Sequence, residues 1–132
     1  MYQNHTIDGT FSYIQLTSYR FFNAMTENAH ILIVDDKVSV LNSLELFLSQ
    51  HFKNVTTLRS PNQLESLLKR EKIDLVLLDM NFTAGVNTGN EGIFWMRRIL
   101  DIDDTVSVVL ITAYGDIELA VNAIKEGATD FI

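Results

Sequence analysis

Residues 30–36 read His-Ile-Leu-Ile-Val-Asp-Asp, a β-branched apolar run that closes on two acids. Such a run has no polar alternation, which suits a strand buried on both faces, as in a parallel sheet. Two further runs share the design. Asp74–Asp79 (DLVLLD) ends in a carboxylate, and Thr105–Thr112 (TVSVVLIT) ends in a hydroxyl.

Between these runs the apolar spacing changes to three and four. Lys37–His51 places Val38, Leu41, Leu44 and Leu48 on one helical face, continued by Phe52. Asn54–Leu58 reads as a short strand. Ser60 and Pro61 form a helix start, with serine as N-cap and proline at the first helical position. That helix runs to about Arg70 and turns Leu64, Leu67 and Leu68 inward. A Gly/Asn/Thr-rich loop, Asn81–Asn90, precedes a helix over Glu91–Leu100. A last helix, Asp116–Glu126, ends at Gly127, which supplies the left-handed residue, and Thr129–Ile132 opens another strand. Alternating strands and helices predict right-handed βαβ units in an open, doubly wound parallel α/β sheet. Ligands of such sheets sit beyond the carboxyl ends of the strands, where the strand order reverses.

Composition narrows the function classes. The 132 residues carry a net charge of −7 and contain no cysteine. The acidic balance argues against an isolated nucleic-acid-binding module. Without cysteine there are no disulfides, thiolate metal sites or cysteine nucleophiles, in keeping with a reducing, cytoplasmic setting. No apolar run reaches the ~20 residues that span a bilayer. The first residues are too polar for a secretion signal.

Asp35, Asp36, Asp79 and Thr112 all fall at carboxyl ends of predicted parallel strands. One aspartate there is readily explained as a helix N-cap. Three on one rim repel one another unless a cation neutralises them, and a hard divalent ion with oxygen ligands does so. A carboxylate can attack phosphorus to give a mixed anhydride, and phosphoryl transfer needs chiefly positioning and charge neutralisation. Mg2+ held by Asp36, Asp79 and a backbone carbonyl just after Asp79 would supply much of that. Thr112 offers a hydroxyl at the height of a phosphoryl oxygen. Its plain alternative is an ordinary β-branched strand residue.

The runs ILIVDD (31–36), DLVLLDMN (74–81), VVLITAYGD (108–116) and EGATDF (126–131), in this order, resemble the receiver domain of bacterial two-component response regulators. The resemblance covers residues 30–132. It implies a flavodoxin-like fold with strand order 2-1-3-4-5. It further implies that Asp79 is the phosphoacceptor and that Asp35 and Asp36 hold Mg2+, Asp36 directly and Asp35 partly through water. The main-chain carbonyl of Asn81 would complete the metal shell. Thr112 would be the switch hydroxyl and Phe131 the aromatic that follows it, against the alternative of a core ring. Tyr114 stands where the family tunes hydrolysis of the anhydride, and could equally be an exposed turn aromatic.

Implied partners are a sensor histidine kinase and an output domain. The long loop MNFTAGVNTGNEG (80–92), with FWMRRIL (94–100) and TAYGDIELAVNAIKEGATDFI (112–132), is similar to receivers of AAA+ enhancer-binding, sigma-54-dependent transcription activators. Their AAA+ and DNA-binding domains are absent from this chain. The domain itself would touch neither nucleic acid nor membrane, and would act only on its own phosphoryl group.

Three departures shape the expectations. Thr83 and Ala84 replace the proline usual after the phosphoacceptor, and Gly85, Gly89 and Gly92 suggest turns there. The family's lysine and last helix, which follow the position of Phe131, are missing, so a sheet face is expected to lie open and to favour a homodimer. Residues 1–29 are expected to form an extension to a receiver over 30–132, with the aromatic-rich residues 1–24 non-native, disordered, or packed on that open face. Two other functions compete. One is a phospho-incompetent receiver serving only as a protein-binding module. The other is a Mg2+-dependent aspartyl phosphatase, which wants an acid/base carboxylate where Asn81 offers an amide.

Overall fold

The computed structural model describes residues 25–82, 90–112 and 117–132. Five strands, β1 (His30–Val34), β2 (Asn54–Leu58), β3 (Leu75–Asp79), β4 (Ser107–Ile111) and β5 (Asp130–Phe131), form one sheet. All their pairings are parallel, as the alternation of strands and helices predicted, and the order is β2-β1-β3-β4-β5, as the family resemblance implied. The helices are α1 (Val38–Leu48), α2 (Leu64–Arg70), α3 (Asn90–Ile102) and α4 (Ile117–Lys125).

The period-two geometry of a strand divides its side chains between the two faces. Leu32, Val34, Val76, Leu78, Val108 and Leu110 pack with α2, α3 and α4. Ile31, Ile33, Leu75, Leu77 and Val109 pack on the opposite face with Leu41, Leu44 and Leu48 of α1. Both faces are therefore apolar, which is why these strands lack polar alternation. Ile31–Val34 and Leu75–Leu78 are fully buried. Their complete enclosure fixes where each strand ends, because a slip by one residue would carry a terminal aspartate into this core.

Several boundaries differ from the sequence reading. Ser60 does cap, its Oγ accepting the Asn62 N–H at 3.3 Å, but Pro61–Gln63 form a 3-10 turn and α2 proper begins at Leu64. Gly127 has φ +123°, the backbone region expected of a helix-ending glycine. Gly92 is not a turn glycine; it lies in the first turn of α3. A Cβ there would stand 2.5 Å from Met80 Cα and 3.0 Å from the Asp79 carbonyl oxygen. Glycine is required because helix and strand end approach this closely. The expectations for residues 1–24, for the centre of the long loop and for Tyr114 lie outside the described residues. No helix among the described residues is long and apolar enough to cross a membrane.

Candidate metal and phosphoacceptor site

The sheet reverses direction of growth at β1. The chain goes from β1 to β2 on one side, then returns to β3 on the other. β1 and β3 are neighbours, with Val34 opposite Leu78. The next residue of each strand is Asp35 or Asp79, so the register sets these two carboxylates level at the crevice. In turn Asp79 lies opposite Ile111, which sets Thr112 one residue beyond it.

Asp35 is buried and tied into the fold. Its N–H donates to the Leu58 carbonyl (3.1 Å), and its Oδ1 accepts the Lys37 N–H (2.8 Å) at the start of α1. That bond closes an Asx turn just ahead of α1 and leaves Asp35 within the acid cluster. One carboxylate oxygen from each of Asp35, Asp36 and Asp79 lies within 4.8 Å of the others. Oδ1 of Asp36 and Oδ2 of Asp79 are buried with no hydrogen-bond partner.

Electrostatics follow from this crowding. Burial, then the charge of Asp35, pushes the Asp79 carboxyl up to about 7; Asp36 adds a smaller push. The Asn81 N–H, which donates to that carboxylate, and the Lys37 ammonium oppose the rise. Burial also raises Asp35, against the Lys37 N–H and the charge of Lys37. Leaving a buried carboxylate oxygen unpaired is costly, and a second and third carboxylate nearby add to the cost. The donor set suits a hard, oxygen-seeking divalent cation, which would satisfy both lone oxygens and lower the Asp79 carboxyl again. Mg2+ therefore fits these residues.

The other sequence candidates are placed as follows. The Asn81 main chain adjoins Asp79 through the N–H bond just described. The Thr112 hydroxyl donates to the Ile132 main-chain oxygen at 2.8 Å, and the Thr112 N–H donates to the same oxygen at 2.8 Å. In this arrangement the hydroxyl is held by the residue that follows β5. Phe131 is half-buried opposite Leu110, against the α2–α4 side of the core.

Two residues at the site were missed, and a third, Gly92, was expected to mark a turn. Lys37 is exposed and directly follows the acid pair, so its proximity to the carboxylates was readable from adjacency alone. Glu91 Oε1 accepts the Phe82 N–H at 3.1 Å across the long loop. No spacing rule in a single sequence marks that contact. Gly92 gave a signal: a glycine inside a helix costs about 1 kcal/mol relative to alanine and calls for a packing reason.

Residues 31–132 match the response regulator receiver domain family. The chain belongs to that family. Within it, this receiver is similar to the N-terminal signal receiver domain of a two-component response regulator from Bacteroides fragilis. The two are 48% identical with a TM-score of 0.71, over 80% of this chain and 83% of that one. It is also similar to NtrX from Brucella abortus in complex with ADP, at 30% identity and TM-score 0.69, covering 80% of this chain and 22% of that one. Transcriptional regulatory protein ZraR of Escherichia coli K12 is 31% identical over 106 residues, 80% of this chain and 23% of ZraR. The receiver thus spans about a quarter of the length of the curated relatives it matches. Those relatives carry names of transcriptional regulators, in line with the activator class to which the loop and helix motifs pointed.

Proposed function

We propose that this receiver takes a phosphoryl group from a sensor histidine kinase onto Asp79, with Mg2+, and thereby switches an output domain in transcription. The supporting observation is the pair of buried, unpartnered oxygens on Asp36 and Asp79, gathered with Asp35 at the switch point of the sheet.

Asp36, Asp79 and the Asn81 carbonyl would hold the ion directly, and Asp35 partly through water. The ion supplies charge neutralisation for carboxylates and phosphoryl oxygens that would otherwise repel. Asp79 acts as nucleophile. A carboxylate oxygen bonds to phosphorus as the bond from phosphorus to the histidine nitrogen breaks, and that nitrogen leaves with the bonding electrons. Once the phosphoryl group is on Asp79, the Thr112 hydroxyl exchanges the Ile132 oxygen for a phosphoryl oxygen. That frees the end of β5, where Phe131 sits, and a small electrostatic change becomes a rearranged surface. Tyr114 would tune hydrolysis of the anhydride. The activity is confined to this protein's own phosphoryl group, in a cytoplasmic setting. The output module is of the sigma-54-dependent AAA+ type.

Incubation with a small acyl phosphate and Mg2+, followed by intact mass, tests the reading. One phosphoryl adduct is expected on the wild type and none on Asp79→Asn. No adduct on the wild type would leave a receiver that serves only as a protein-binding module. Steady turnover of a phosphomonoester would point instead to a phosphatase.

A further inference from the structure

The short stretch between Asp79 and Phe82 is held from outside by the first turn of α3. The first N–H groups of a helix have no acceptor within it. Gly92 uses its own on the Met80 carbonyl at 2.9 Å, which the missing side chain permits. One residue earlier, Glu91 sends its carboxylate back nine positions to accept the Phe82 N–H at 3.1 Å. On the strand side, the Met80 N–H donates to the Ile111 carbonyl at 3.3 Å. Asn81 lies between these fastenings, and its N–H is the one bonded to the Asp79 carboxylate. Met80 is fully buried, and Phe82 packs against the α2–α4 side of the core.

We propose that Glu91 is a positioning residue for the acid cluster. By anchoring Phe82 it fixes the main chain of Asn81, and so both the orientation of the Asp79 carboxylate and the carbonyl offered to the metal. The metal half of this inference rests on the Mg2+ reading above. The chemistry is specific. A turn followed by a long, glycine-containing connection has no proline to stiffen it, and a carboxylate at the start of the next helix closes it instead. Reaching back from a helix start to an upstream N–H is the reciprocal half of a capping box, here extended across a loop. Partners of this kind that support metal ligands typically change affinity by about 10-fold or more when removed.

The test uses Glu91→Ala and Glu91→Gln, since glutamine keeps an acceptor oxygen but not the charge. Mg2+ affinity is read by titration, and amide hydrogen exchange of Asn81 is read on the metal-free proteins. Exchange in β1 serves as the measure of general loosening. Alanine is expected to weaken Mg2+ about 10-fold and to speed Asn81 exchange selectively, with glutamine restoring both towards wild type. Equal weakening by both variants would show that charge matters rather than the anchor, and would overturn the proposal. Unaltered Asn81 exchange in Glu91→Ala would also overturn it. If Asp79→Asn leaves Mg2+ affinity unchanged, the metal reading fails instead, and Asn81 exchange alone then decides whether Glu91 holds the turn.

Discussion

The carboxylates of this receiver fall into two groups treated in opposite ways. On the outer surface, Glu65 meets Arg98 at 2.7 Å and Lys69 at 3.0 Å, and Glu126 meets Arg97 through two bonds of 2.8 and 3.0 Å. Those cations hold both carboxyls below their ordinary range, Arg98 acting most on Glu65 and Arg97 on Glu126. At the end of the sheet, Asp35 and Asp79 are buried and raised, and Asp36 and Asp79 each keep an oxygen unpartnered. Exposed pairs like the first group contribute little, because water screens them and long side chains lose freedom in making them. The second group is destabilising on its own, and in the function proposed above a bound cation would relieve it.

Removing the central charge breaks the contrast most sharply. Asp79→Asn is expected to abolish the phosphoryl adduct and to lower Mg2+ affinity by about 10-fold or more. The same variant should stabilise the metal-free protein near about pH 8, read from urea unfolding, because it removes a carboxyl whose burial raises its proton affinity.

The wild-type pH profile has the matching sign. A carboxyl raised in the folded state binds its proton more tightly there than in the unfolded chain. Its contribution is full below about pH 4 and is lost as pH rises through about 7. Metal-free stability should therefore fall over that window, and Asp79→Asn should flatten most of the fall. The surface carboxyls, being lowered, lose their contribution only as pH drops through their own acidic range. Saturating Mg2+ should reverse the neutral-pH loss. At about one hundred times its dissociation constant a ligand adds about 2.7 kcal/mol, measurable as a melting shift removed by chelator.

Gly92→Ala sharpens the comparison from the side of packing. The added methyl would meet the Met80 main chain at 2.5 Å, where no flexible side chain can yield. A loss of about 2 kcal/mol is expected despite the better helix propensity of alanine. Denaturant midpoints check it. The smallest effect belongs to the surface. Arg98→Ala should leave the urea midpoint almost unmoved, and less still at high salt.

The architecture was legible because both faces of the central strands are covered. That burial forces unbroken apolar runs at Ile31–Val34 and Leu75–Leu78 and helical spacing between them. The acidic strand ends were legible for the same reason, since each carboxylate stands where its apolar run stops. The 3-10 turn at Pro61–Gln63 and the later start of α2 at Leu64 were not, because element ends are set by local geometry that a hydrophobic period does not encode.

By itself the sequence determined the order of strands and helices, which residues face the core, and the Asp35, Asp36 and Asp79 rim. These follow from apolar periodicity and from charges that cannot enter a core. Only the tertiary structure decided that Val34 stands level with Leu78, that two particular carboxylate oxygens are left without partners, and that Glu91 and Gly92 close on residues 80 and 82. Those facts depend on register and on contacts between elements distant along the chain, and no local pattern of residues carries them.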